Sequence, residues 1–171
     1  TRNRPETLRF ALESIKLHLS EIDYEIIVAS NGESLEADLL DVRPELLEFA
    51  QVVRSERRLS LSDNWRFGFG FTKGKWVHIL GDDDCIAIKH SENLSEILKR
   101  EDVDGLVFRY GTFNWKVDQK GEYSQECIWQ PDETCKVQKI KSNASVIRNW
   151  ESLQPRDYPN TTGRSLIKRD Y

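Results

Sequence analysis

Three consecutive carboxylates, Asp82, Asp83 and Asp84, are the residues whose types and spacing most readily do chemistry. They follow Gly81 and the largely apolar run "KWVHIL" at residues 75–80. Adjacent carboxylates repel, and a partly buried one is costly without compensation. A divalent cation offsets both costs. Oxygen-rich sites suit Mg²⁺ or Mn²⁺, and Mg²⁺ commonly takes one or two carboxylates plus substrate phosphates. Alternate residues of an extended segment point to opposite sides, so Asp82 and Asp84 need not share the partner of Asp83. One carboxylate can then hold a metal while another accepts a hydrogen bond from a ribose hydroxyl. Gly81 would let the backbone approach a ligand closely. The plain alternative is a solvated acidic turn in which Asp84 caps the next element.

Other reactive residue types carry less. His78 lies in a strand pattern and reads as packed; His18 and His90 read as surface residues. Cys85, Cys127 and Cys135 are an odd count without dense spacing, which suggests reduced thiols, although Cys127 and Cys135 could pair. Without CxxC or His-x-x-x-His, a structural zinc site is not expected. The Asn-x-Ser/Thr patterns at Asn93, Asn143 and Asn160 are short and common by chance. Trp65, Trp76, Phe67, Phe69 and Phe71 read as packing around a crossover. Trp115, Trp129 and Trp150 fall in an irregular half, where loops supply binding groups, so sugar stacking is open to them. Arg54, Arg57 and Arg58 read as a solvated loop, with Arg57 or Arg58 able to reach a phosphate.

The elements that must position the aspartates follow from pattern. Residues 5–20 predict a helix, with Pro5 and Glu6 suiting its first turn and Leu8, Ala11, Leu12, Ile15 and Leu19 on one face. "YEIIVAS", residues 24–30, predicts a buried strand, and Asn31-Gly32 a turn. Residues 34–49 predict a helix interrupted by Pro44, and residues 51–55 a short strand. Residues 62–73 predict a helix capped by Ser62, despite Gly68 and Gly70. Residues 75–80 predict a strand, 91–100 a helix and 104–110 another strand. Residues 113–129 predict a hairpin turning near Gln119, Lys120 and Gly121. Residues 131–165 read as loop-rich, with a short helix at 142–150.

Alternating strands and helices imply a parallel sheet covered on both faces, with ligands beyond the carboxyl ends of its strands. That placement brings residues 1–4, 30–33 and 81–84 together, and it favours ligand binding over the plain acidic turn. The chain has 171 residues, enough for one domain of ordinary size. Hydrophobic residues at 38% and charged residues at 32% fit a globular chain. A net charge of −4 carries no basic excess for nucleic acid. No apolar stretch of about 18 residues argues for a membrane span. Thr1 suggests a start inside a longer protein.

Four segments resemble the donor half of a family 2 glycosyltransferase of the GT-A fold. "TRNRPETLRFALESI" resembles the end of the family's first strand, its Thr-x-Asn-Arg and the helix that follows. "YEIIVASNGES" resembles the second strand and the turn that contacts the base. "LSDNWRFGFGFTKGKWVHILGDDD" resembles the helix and strand that lead to Asp-x-Asp. "DVDGLVFRY" resembles the next strand. Their order and spacing across residues 1–110 carry the likeness.

The resemblance implies a Rossmann-like three-layer α/β/α nucleotide-sugar-binding fold with a mainly parallel sheet. Residues 1–110 would form the donor core, and residues 111–171 an incomplete, irregular extension on the acceptor side. It implies a nucleotide-diphosphate sugar donor, Mn²⁺ or Mg²⁺, and a carbohydrate or lipid-linked acceptor. Thr1 and Arg4 would lie by the base and phosphates, with Arg2 and Asn3 near them. Asn31 stands where an acidic residue usually meets the base, so either Glu33 substitutes or the Asn31 amide reads the base. Asn64 and Arg66 fall in the helix that usually faces the diphosphate. Asp82, Asp83 and Asp84 fit Asp-x-Asp directly. Alignment on the strand instead puts Gly81 first, with Asp83 or Asp84 on the metal and Asp82 on the ribose.

Family members usually invert the anomeric centre in one displacement, with a carboxylate as general base. The base is expected some tens of residues beyond "GRSLIKRDY", past Tyr171; Asp157 and Asp170 are fallback candidates. The resemblance also implies polysaccharide synthesis at the cytoplasmic face of a membrane, without a membrane span in this chain. Rival classes fit less well. A nucleotidyltransferase would show a Gly-rich loop where "TRNRPETL" stands. A phospho-acceptor receiver domain would place its acidic pair after the first strand. A transferase-like domain that only binds would tolerate Asn31.

Overall fold

The structure, a computed structural model, describes residues 1–88, 91–103, 105–107, 112–117, 123–128 and 165–169. Helix α1, Pro5–His18, begins on a proline whose missing N–H costs a first turn nothing. Glu6 sits at its positive end, and Lys16 and His18 at its negative end. Its Leu8, Ala11 and Leu12 are buried. Strand β1, Ile26–Ser30, follows. The helical stretch expected at 34–49 is two short helices, α2 at Leu35–Leu39 and α3 at Pro44–Leu47. Pro44 starts the second because it cannot continue the first. Ser34 caps α2, its hydroxyl accepting from the Ala37 N–H at 3.0 Å.

Strand β2, Ala50–Arg54, pairs in parallel with β1, from Ile26 opposite Ala50 to Ser30 opposite Arg54. Helix α4 spans Leu61–Phe69. Its cap is Ser60, not the expected Ser62; the Ser60 hydroxyl accepts from the Asp63 N–H at 3.2 Å. Strand β3 is Trp76–His78, α5 Ser91–Leu98 and β4 Gly105–Val107.

By packing, the chain divides into two compact units, residues 1–106 with 161–171, and residues 107–160. Within the second, β5 at Thr112–Val117 and β6 at Tyr123–Ile128 form the expected antiparallel hairpin, Thr112 opposite Ile128 and Val117 opposite Tyr123. Its turn, the helix expected at 142–150, Trp129 and Cys135 lie outside the described residues. One strand was not expected from the sequence. Strand β7, Ser165–Lys168, pairs antiparallel with β3 and lies between β3 and β4. The expected parallel order therefore holds for β1 and β2, while β3 takes an antiparallel neighbour from far along the chain.

The first unit is layered around β1. Leu8, Leu12, Val28, Val42 and Leu46 form its core, flanked by Ile26, Leu39, Leu47, Phe49, Ala50 and Val52. Alternation then points Ala29 to the opposite face, where α4 covers it. A Cβ on Gly68 would stand 3.1 Å from the Ala29 Cβ, so a glycine here lets the helix lie close. Among the described residues no helix is long and apolar enough to cross a membrane.

Candidate functional site

A cleft of about 1030 Å³ opens in the first unit. Between β1 and β3 it is lined by consecutive residues, Ile27 to Ala29 and Trp76 to Leu80. Consecutive rather than alternate residues mean that both strands face it with their hydrogen-bonding edges. Thr1 bonds to that edge of β1 as a parallel strand would. Its nitrogen donates to the Ala29 carbonyl at 2.8 Å, and the Asn31 N–H donates to its carbonyl at 2.9 Å. Polar chemistry gathers beyond, where Arg2, Arg4, Asn31, Arg58, Asn64 and Asp82 to Asp84 line the cleft.

The acidic triplet turns back on itself. The Asp84 N–H donates to the Gly81 carbonyl at 3.1 Å. A Cβ on Gly81 would meet Asp84 Oδ2 at 2.8 Å and Asp83 Oδ1 at 2.9 Å. Two carboxylates thus converge over a space that only a glycine leaves open. Asp82 turns instead toward the first loop, accepting from the Arg2 N–H at 3.3 Å and from Arg4 Nη1 at 3.4 Å. Its side chain is 14% exposed, against 52% for Asp83, which accepts from Arg4 Nη1 at 2.8 Å. No group of three or more His, Cys, Asp or Glu side chains gathers among the described residues. Paired carboxylate oxygens are nevertheless the ligand type that hard divalent cations take, and such cations need few carboxylates when phosphates and water complete their shell.

A second carboxylate, unrecognised from the sequence, builds the neighbouring loops. Asp38 is fully buried. It accepts from the Ser30 hydroxyl at 2.7 Å, from the Gly32 N–H at 2.9 Å and from the Asn3 N–H. Burial works to raise its carboxyl pKa, but these hydrogen bonds outweigh burial and hold it below the ordinary aspartate value. A side chain on Gly32 would collide with Asp38 and Asn3. Asn3 takes the left-handed conformation, φ 52°, which asparagine tolerates better than most residues, and its Oδ1 accepts from the Glu33 N–H at 3.1 Å. Arg54 is no solvated loop residue. It bridges from the end of β2 to Ser30 Oγ at 3.1 Å, the Gly32 carbonyl at 2.8 Å and the Glu33 carbonyl at 3.0 Å. One signal for Asp38 was present: it lies four residues before Val42, which is buried.

The expected site residues divide. Thr1, Arg2, Arg4, Asn31, Asn64, Asp82, Asp83 and Asp84 line the cleft; Asn3, Glu33 and Arg66 do not. Asn3 and Glu33 belong to the supporting loops. Arg66 is on the outer face of α4, 84% exposed and 4.0 Å from Asp63. Asn31 is buried, and its amide closes on the backbone of one residue, donating to the Leu59 carbonyl at 3.0 Å and accepting from the Leu59 N–H at 2.9 Å. His78 and Trp65 also line the cleft, while Trp76 is tied down by donation to the Leu98 carbonyl at 3.0 Å. Two buried oxygens at the cleft, Thr1 Oγ1 and Asn64 Oδ1, have no hydrogen-bond partner among the described residues.

The sequence profile of the family described as "Glycosyl transferase family 2" matches residues 1–167. No curated protein and no solved structure gives a significant match. The match spans the cleft and most of the returning strand β7, and the chain belongs to glycosyl transferase family 2, a family of glycosyltransferases.

Proposed function

We propose that the outer end of this cleft holds a nucleotide-diphosphate sugar together with Mn²⁺ or Mg²⁺. The observation that carries this reading is the convergence of Asp83 and Asp84 over Gly81, next to Arg4. Asp83 and Asp84 would hold the cation, and a bound cation would supply positive charge against the diphosphate that departs. Asp82, turned toward residues 2–4, would accept a hydrogen bond from the ribose. Arg2, Arg4 and Arg58 line the same space and would pair with phosphate oxygens. The sugar would pass with inversion to a carbohydrate or lipid-linked acceptor. A carboxylate base would remove the acceptor's proton. Asp157 and Asp170, the fallback candidates for that base, lie outside the described residues. Hexosyl transfer in polysaccharide assembly at the cytoplasmic face of a membrane is the cellular setting that fits.

Thermal unfolding tests the reading. Tm is measured with UDP, CDP, ADP and GDP, and with Mn²⁺, singly and in pairs. One nucleotide should raise Tm markedly only when Mn²⁺ is present. The double variant Asp83→Asn, Asp84→Asn should lose that synergy while keeping the Tm of the free protein. Synergy that survives the double change would remove the metal assignment, and no nucleotide response at all would remove the donor assignment.

A further inference from the structure

Asn64 stands one turn into α4 and is buried, 6% exposed. Its Nδ2 donates to the Ala29 carbonyl at 3.2 Å. That bond fixes which way the amide faces, because the reverse orientation would set oxygen against oxygen. Oδ1 is therefore held away from Ala29, buried and without a partner, in a side chain that lines the cleft. The Ala29 carbonyl also receives the Thr1 nitrogen, and Arg2 next along the chain donates to Asp82. Asn64 is thus joined to the acidic triplet through a short run of hydrogen bonds. A buried acceptor left unpaired is destabilising, so its retention points to a partner that arrives with a ligand. Phosphate oxygens are acceptors and cannot be that partner. Asn31, the other amide that lines the cleft, is already closed on Leu59.

We infer that Asn64 Oδ1 reads a neutral N–H or O–H donor on the nucleoside part of the donor substrate, and not its diphosphate. The inference rests on the nucleotide reading above. Two sources offer this chemistry, a base N–H and a ribose hydroxyl. Thr1 Oγ1, buried and unpartnered at the same cleft, is a second contact for the same moiety.

Calorimetry with Mn²⁺ present separates the outcomes. The probes are the nucleoside diphosphate that stabilises the protein most, its 2′,3′-dideoxy form, ribose 5-diphosphate and inorganic pyrophosphate. Asn64→Ala should weaken the nucleoside diphosphate by about tenfold or more and leave pyrophosphate unchanged. If a base N–H is read, the dideoxy form keeps its sensitivity to Asn64→Ala and ribose 5-diphosphate loses it. If a ribose hydroxyl is read, the pattern reverses. Asn64→Asp keeps an accepting oxygen but loses donation to Ala29, so it should bind the nucleoside diphosphate better than Asn64→Ala. Equal losses in the two variants would make Asn64 a brace for Ala29 and overturn the inference. Equal losses for pyrophosphate, or none for any probe, would do the same. Should Asn64→Ala fail to fold, the wild type decides alone: ribose 5-diphosphate and the dideoxy form both binding as tightly as the full nucleotide overturn the inference. A wild type that binds no nucleotide overturns the nucleotide reading itself.

Discussion

Two sets of carboxylates stand at the outer end of the cleft, Asp38 under the turn after β1 and the triplet beyond β3, and they are built in opposite ways. Asp38 is fully buried and takes donors that belong to its own chain: a hydroxyl and two backbone N–H groups. Asp82 and Asp83 face the cleft and are neutralised mainly by Arg4, itself 55% exposed. A buried charge with fixed donors is expensive to disturb and sets geometry. A charge paired with an exposed guanidinium contributes little to folding and can exchange partners. Asp38 therefore shapes the loops at residues 1–4 and 30–33, while the triplet lines the cleft.

Asp38→Asn is the sharpest way to break this comparison. Both Asp38 oxygens accept hydrogen bonds, so an amide sets one N–H group against another, at an expected cost of about 3 kcal/mol. Urea unfolding measures it; a loss below about 1 kcal/mol would show the loops to be held elsewhere. The sign with pH follows from the lowered carboxyl. Its contribution is present above the unfolded aspartate value of 3.8 and is lost as pH falls through the lower folded value. The wild type should therefore lose stability in acid more steeply than Asp38→Asn.

Asn31→Asp is expected to cost less, about 1–2 kcal/mol, because the carboxylate keeps the Leu59 N–H but faces the Leu59 carbonyl without a proton. Here Asn suits a residue whose backbone presents both a donor and an acceptor. An unchanged Tm would show the Leu59 contact to be dispensable. Arg4→Ala should move folding stability by under about 1 kcal/mol, since its ion pairs are exposed. Its signature lies in binding. Mn²⁺ alone should bind more tightly once the competing guanidinium is gone, while nucleoside diphosphate with Mn²⁺ should bind more weakly. Calorimetry showing both affinities falling together would make Arg4 a structural support for the triplet.

Much of the first unit was legible because local physics governed it. The apolar register of Leu8, Ala11 and Leu12 specified α1, the branched run at 26–28 specified β1, and Pro44 divided α2 from α3. The polar end of the cleft was legible in outline, since Gly81 and three aspartates after an apolar strand marked one of the segments that gather there. Strand β7 was not legible, because four residues distant in sequence gain strand character only by pairing with β3. Asp38 and Arg54 were missed for a related reason. Their partners lie on other segments, so neither role exists until the loops close.

Sequence alone determined which residues could bear charge beyond the ends of β1 and β3 and which helices and strands would bring them near. It did so because side-chain periodicity and backbone-restricting residues act within a few positions. Tertiary structure alone decided which polar groups are spent within the protein and which face the cleft. Asn31 turned inward to Leu59, Arg66 turned outward from α4, and Asn64 kept a buried oxygen open. Hydrogen-bond satisfaction is a property of groups brought together across the chain, and no local pattern contains it.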